Sequence, residues 1–384
     1  MSRIQVVLVA DQHCSMLATF FRNVWGSTAD AEEVLAARQL AARANPVEPG
    51  VVPPSIIAHD GETVLAYVGS LPMPVWASER EIASYWAKGW MVLPEHRNGP
   101  LGAAVMKELL RHLPRSAALI GAPAAQRLLQ ALGFRDGGGL SNYVLILDGR
   151  RVATQVDLDL VDRVPAAVRR LVRLLRSVGV AGPLGGGAGL ALRLLREIGR
   201  ISDSARGLTT VEGTAATADI DALWTRARSG LGIAVKRDAH SWRTRYGTPE
   251  GRGATVYETV GVLRHGSLVG VAAVRTPQVQ TDPRLQGLRV AVISDALFEA
   301  GDAAVAKALV RGAADLARRS GADAVLCSTS VAGFARALRA HVFVPLGANL
   351  RFVWRGSAAD RPAVPAAAES WWLFRGDGES DGVF

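Results

Sequence analysis

Apolar and polar residues alternate with period two over residues 4–9, which predicts an opening strand. Residues 29–43 carry apolar positions at helical spacing and read as a helix. A hairpin follows over 55–72, turning at Asp60 and Gly61. The apolar run near 82–93 reads as a strand, 100–113 as a helix and 116–123 as a short buried strand. Residues 124–134 form a helix ended by Gly133, and 141–147 a further strand. Helices alternating with strands imply an α/β class built on an α+β mixed sheet, with some parallel pairing.

From about residue 210 the order returns. A helix holding Leu223 and Trp224 precedes a hairpin over 254–276 and a strand over 289–297. Then come a helix over 303–320, a strand over 322–330, a helix over 332–343 and a strand over 349–355. The pattern predicts two similar domains, 1–150 and 209–384, joined by a connector at 151–208. The connector reads as two basic amphipathic helices around a Gly-rich break. Packing between the domains is its simple reading. Arg169, Arg170, Arg173 and Arg176 beside a Val/Leu face would also suit contact with an anionic membrane surface.

With 384 residues and 49% hydrophobic content, the chain has enough apolar material for large cores. Its formal charge of +9 suits an anionic ligand, a nucleic acid or an anionic membrane surface, and does not choose among them. Basic and aromatic residues do not interleave as in single-strand binders, so no nucleic-acid partner is expected. No apolar run is long enough for a membrane span, and the first residues lack the pattern of a signal peptide. Cys14 and Cys327 lie far apart and the seven His are scattered, so neither a disulfide framework nor a metal site is expected. A cytoplasmic location is the simple reading.

The most informative stretch runs from Trp90 to Leu113, WMVLPEHRNGPLGAAVMKELLRHL. A strand ends at a Pro, a short turn carries Arg97, Asn98 and Gly99, and a helix begins at Pro100 and Leu101. A helix N-terminus presents unpaired amides and a partial positive charge, and so suits phosphate. Arg97 adds a charge-assisted donor. Gly99 and Gly102 allow close backbone approach. Leu101, Val105 and Leu109 fall on one helix face, and Pro100 suits the first helical turn.

This segment resembles the acyl-CoA-binding motif of the GCN5-related N-acetyltransferase (GNAT) superfamily. Val92-Leu93-Pro94-Glu95-His96-Arg97 matches its strand ending, and Arg97-Asn98-Gly99-Pro100-Leu101-Gly102 its turn. Gly133-Phe134 resembles the superfamily's closing helix and turn. The resemblance covers roughly 1–148, and the later half looks like the second domain of tandem bacterial members. It implies that Met91 and Val92 meet the pantetheine arm of acetyl-CoA or another acyl-CoA, and that residues 97–102 cradle its pyrophosphate. It also implies acyl transfer to a small amine or amino sugar, with polysaccharide biosynthesis as one setting. Three departures stand out. Pro100 replaces the usual Gly, Leu129 aligns with the family's proton-donating Tyr, and Ala122 falls where many members carry Asn.

Trp86 and Trp90, on one strand face by period two, are candidate walls for the acceptor. Asp295, ending the corresponding strand of the second half, is a candidate base. His240 is a second candidate base. Trp242 and Arg243 are candidate acceptor-binding groups. Glu299 and Asp302 in the loop after Asp295 would repel a pyrophosphate, so one cofactor per chain is expected. The leading reading is an acyl-CoA-dependent acyltransferase. The alternative is a non-catalytic acyl-CoA-binding or assembly protein.

Overall fold

A computed structural model describes residues 4–113, 115–155, 206–213, 217–247, 257–280, 285, 287–360, 364–365 and 367–378. The chain divides into two compact units. The first comprises Met1–Gly138 with Arg351–Ser370, and the second Gly139–Pro249 with Ala254–Leu350 and Trp371–Phe384. Neither unit is contiguous in sequence, so they do not divide at the expected boundaries of 150 and 209. Most of the expected connector, residues 156–205, lies outside the described residues.

In the first unit, β1 (Gln5–Leu8) leads to α1 (Cys14–Trp25) and α2 (Ala31–Arg43). Then follow β2 (Ile56–His59), β3 (Val64–Pro72), the short β4 (Val75–Ala77) and β5 (Arg80–Ile82), and β6 (Tyr85–Val92). α3 (Leu101–His112), β7 (Ser116–Ile120), α4 (Pro123–Ala131) and the start of β8 (Arg135–Ile146) come next. Local chemistry sets the ends. Asp30 and Glu33 form a reciprocal capping box at the start of α2. Gly26, at φ +66°, ends α1 in the left-handed conformation. α3 buries Val105, Met106 and Leu109 completely against Ile56, Ala66 and Val68 of the sheet. α1 buries Leu17 and Phe20 with Ile57 and Val64. A fully buried side chain of this size contributes about 1.5–3 kcal/mol, so these two seams fix the helices to the sheet.

The second unit repeats the plan. β9 (Leu208–Glu212), α6 (Thr217–Ala227), β10 (Ile233–Val235) and α7 (Ala239–Tyr246) precede the hairpin β11 (Tyr257–Arg264) and β12 (Ser267–Val279), α5 (Gly149–Gln155) standing before them. β13 (Arg289–Phe298), α8 (Ala303–Arg319), β14 (Ala324–Thr329), α9 (Ala332–Ala340), β15 (Val344–Arg355) and β16 (Trp371–Trp372) follow.

The first unit's sheet runs β1-β2-β3-β6-β7 and is completed by residues 351–355 of β15, antiparallel to β7. The second runs β9-β11-β12-β13-β14 and is completed by residues 141–146 of β8, antiparallel to β14. Each sheet thus takes its last strand from the other half of the chain. Among the described residues of each, β6–β7 or β13–β14 is the one parallel pair, which gives the expected α/β class with a mixed sheet.

Candidate functional site

β6 and β7 are parallel partners only at Tyr85–Ser116 and Trp86–Ala117. On its other side β6 stays paired to β3 as far as Val92. Residues 87–92 therefore line a wedge between two parting strands, where β7 no longer partners the backbone groups on that edge of β6. Such groups seek partners, and an extended ligand can supply them as an added strand would.

The wedge leads to the turn before α3. The Arg97 amide donates to the Pro94 carbonyl and the Gly99 amide to the His96 carbonyl. Those two amides are spent, and Pro100 has none, which corrects the expectation of a cradle running through all of 97–102. α3 has no side-chain cap, and its first internal bond is from Ala104 to the Pro100 carbonyl at 2.9 Å. The open donors are the amides of Asn98, Leu101, Gly102 and Ala103. Arg97 Nε donates to the Val92 carbonyl at 3.2 Å, and its Nη2 lies 3.9 Å from Met91 Sδ. This guanidinium folds over the strand end at the wedge mouth. Trp90 Nε1 donates to the Gly102 carbonyl at 3.2 Å. A Cβ on Gly102 would stand 3.3 Å from Val92 Cγ2, so the glycine sets how closely the first turn meets the strand.

Period two would place Trp86 and Trp90 on one face, and the structure separates them. Opposite β3, the register moves from Tyr67–Met91 to Gly69–Lys88, so β6 carries one extra residue there. This bulge contains Gly89 at φ +58°, a conformation that favours glycine. Trp90 consequently packs with the α3 core beside Val92. Trp86 faces the opposite way, is fully buried, and meets Phe352 at 5.9 Å between ring centroids. Trp86 is a core residue, not an acceptor wall.

On the α1 face two aromatic rings pack directly on the bulge. A Cβ on Gly89 would lie 3.2 Å from Tyr67 Cε1 and 3.3 Å from Trp25 Cη2. Sequence reasoning missed these rings because residues 25, 67 and 89 meet only through the register of β3, β6 and α1. Leu129 and Ala122 offer no proton donor. Leu129 is buried in the α3 core, and Ala122 caps α4 without a side-chain bond.

In the second unit β13 and β14 part after Ile293–Cys327. Here the chain fills the gap itself. Thr329 bridges Phe374, Ser330 N donates to the Leu373 carbonyl at 3.1 Å, and Trp372 Nε1 donates to the Ala296 carbonyl at 2.9 Å. A Cβ on Gly376 would stand 2.7 Å from the Ser294 carbonyl. Asp295, expected as a base, is fully buried beside this segment. Arg237 Nε lies 2.9 Å from Asp295 Oδ1, and Arg245 Nη1 3.1 Å from its Oδ2. Tyr246 donates to Asp295 Oδ2 at 3.0 Å. Burial pushes the carboxyl up and the two guanidinium groups pull it down, with the net direction upward. Its oxygens are spent inside an ion-pair cage, so it is not placed to take a proton from a substrate. His240 and Arg243 are exposed on α7, and Trp242 is buried against Tyr246; the three do not form one site. The N-terminus of α8 is closed by Asp302, which accepts from Val305 N at 3.1 Å and pairs with Arg264 at 2.9 Å. Among the described residues, no cluster of metal-ligating side chains occurs, and no helix is long and apolar enough to cross a membrane.

No family model matches the chain. Its fold is that of GCN5-related N-acetyltransferases. An N-acetyltransferase of that kind from Anabaena variabilis aligns with TM-score 0.51 and 13% identity, over 92% of this chain and 72% of that one. N-myristoyltransferase of Saccharomyces cerevisiae, crystallised with myristoyl-CoA, aligns with TM-score 0.55 and 11% identity, over 93% of this chain and 84% of that one. A third, a GCN5-related N-acetyltransferase from Kribbella flavida, gives 0.50 and 13% over 93% and 72%. In sequence, 173 residues are 34% identical to a probable DNA ligase of Anaeromyxobacter dehalogenans. That match spans 43% of this chain and about a third (32%) of the ligase.

Proposed function

We propose that the protein is an acyl-CoA-dependent acyltransferase of the GNAT superfamily that binds one acyl-CoA, in its first unit. The observation that carries this reading is the open wedge at 87–92 running into the unspent amides of Asn98, Leu101, Gly102 and Ala103. An extended pantetheine arm would lie along the edge of β6 at Met91 and Val92, where Arg97 Nε holds the Val92 carbonyl. The pyrophosphate would meet the open amides, with Arg97 as counter-charge and Gly99 and Pro100 shaping the turn. The fold shared with an enzyme crystallised with myristoyl-CoA supports an acyl-CoA ligand.

The reaction is acyl transfer to an amine. The N–C bond forms as the C–S bond breaks, the thiolate takes up a proton, and the amine gives one to water. A thiol with a pKa near 8.5 leaves as thiolate without a strong acid, so the Leu129 substitution is compatible with turnover. The filled gap and the acidic helix start of the second unit support a structural role for it. The alternative is an acyl-CoA-binding protein without turnover, favoured by Leu129 and by the caged Asp295. Thiol release from acetyl-CoA, measured with and without a panel of amines, separates the two. Amine-dependent release supports the enzyme, and binding without release supports the alternative.

A further inference from the structure

We propose that the second unit carries a surface that docks on anionic phospholipid membranes, built by Val342, Val344 and Leu346 beside Arg336 and Arg339. Helices α4 and α9 end in the same way. In the first unit, Gly133 N donates to the Gln130 carbonyl and Phe134 N to the Leu129 carbonyl, both at 3.0 Å. In the second, Val342 N donates to the Arg339 carbonyl and Phe343 N to the Leu338 carbonyl, again at 3.0 Å. Each turn buries its phenylalanine. Gly133 holds the left-handed conformation at φ +90°, and Val342 holds it at φ +62°.

Glycine is the ordinary residue for such a turn, and a β-branched residue there is strained. Ser78, Glu79 and His265 are the other described non-glycine residues with positive φ, and none is β-branched. Val342 is 45% exposed, so burial in the core does not offset its strain. What the valine adds is an aliphatic side chain at the surface, where the repeat in the first unit has none. Val344 and Leu346, 50% and 44% exposed, share a strand face and continue the stripe. In the first unit Arg135, Asp136 and Gly137 follow the phenylalanine instead. Exposed apolar residues scattered singly are common, whereas contiguous ones mark contact surfaces.

The charge beside the stripe selects the partner. Between Asp323 and Asp360 the sequence has no carboxylate side chain. Arg336 and Arg339, on the exposed face of α9, lie in that interval. Arg339 donates to the Tyr143 hydroxyl at 3.0 Å, and the adjacent Asn142 donates to the Gly347 carbonyl at 2.9 Å, so β8 holds this cation near the end of the stripe. Aliphatic side chains bordered by cations match the boundary between acyl chains and anionic headgroups. A single-stranded nucleic acid would call for exposed aromatic rings instead.

The test is co-sedimentation of the full chain with vesicles of phosphatidylglycerol and phosphatidylcholine in equal parts, against vesicles of phosphatidylcholine alone. The expected result is partition onto the anionic vesicles at least tenfold stronger, and weakened by salt. Val342→Gly relieves the strained turn, so its urea midpoint should equal or exceed the parent's while its partition falls at least threefold. A general loss of folding would not give that combination. Val344→Ser with Leu346→Ser, and separately Arg336→Gln with Arg339→Gln, should each reduce partition at least tenfold at an unchanged midpoint. Equal partition onto both vesicle types, or no partition onto either, overturns the proposal. Partition that persists in the Val344/Leu346 variant overturns it too, and places the membrane contact elsewhere in the chain. A parent that sediments as a dimer, becomes a monomer in that variant and ignores vesicles would assign the stripe to a second copy of the chain, and also overturns it.

Discussion

Arg237 and Asp377 meet with both side chains fully buried, Arg237 Nη2 lying 2.9 and 2.8 Å from the two carboxylate oxygens. Arg245 donates to the same carboxylate at 2.8 Å. The pair fixes the segment after Trp371 into the gap between β13 and β14. Removing one partner strands a buried charge, at a cost of about 3–5 kcal/mol. Asp377→Ala should therefore lower the urea midpoint strongly. A midpoint within experimental error of the parent would show that the segment is not held by this cage.

The same cage changes what Asp295 is expected to do. Asp295→Ala should lose stability on the same scale as Asp377→Ala. Any folded fraction should keep its acyl-CoA affinity and its activity per folded molecule. A fully stable variant with turnover reduced a hundredfold would return Asp295 to the role of base.

Arg97 covers the mouth of the first unit's wedge. Arg97→Glu places a negative charge beside the proposed pyrophosphate position, and acyl-CoA binding should weaken at least tenfold, about 1.4 kcal/mol. The guanidinium is exposed, so the urea midpoint should hold, and equal affinity in calorimetry would remove this turn from the site.

Two carboxylates tie residues 351–360 into the first unit. Asp360 accepts from Arg115 at 2.9 Å, and Asp136 from Arg351 at 2.5 Å. Burial alone would raise both carboxyls. For Asp136 the Arg351 guanidinium and the Gly138 amide outweigh it, and for Asp360 Arg115 and Ser357 do, so both lie below the usual carboxylate value. A folded value below the unfolded one gives stability that is complete above the unfolded pKa and is lost as pH falls through the folded value. The urea midpoint should be level from neutral pH to about 5 and decline below about 4. Asp360→Asn should lower the neutral midpoint and flatten that decline. An unchanged acid limb would contradict this anchoring.

α1 (Cys14–Trp25) and the short β4, β5 and β10 went unread, but local pattern was enough for most other helices and strands and for the turn after Val92, because Pro94, Arg97 and Gly99 act within a few residues of one another. The repeat of elements after residue 210 was equally legible. Three features were not. The bulge at Gly89 depends on the register with β3, and it separates Trp86 from Trp90 where simple alternation joins them. The exchange of last strands pairs residue 351 with 120 and 324 with 146, and no periodicity announces such distant partners. The role of Asp295 was misread because its counter-ions come from 237, 245 and 377. Arg237 and Arg245 without carboxylates at helical spacing, and Asp377 in a C-terminal FRGDG, are the faint signal that three segments share one buried site.

The central claim is that one acyl-CoA binds, in the wedge of the first unit. Calorimetric titration of the full chain with acetyl-CoA, repeated with Arg97→Glu, tests it most directly. Saturation at one equivalent, with affinity reduced at least tenfold in the variant, is the predicted result. No binding, saturation at two equivalents, or a variant that binds as tightly as the parent would contradict it.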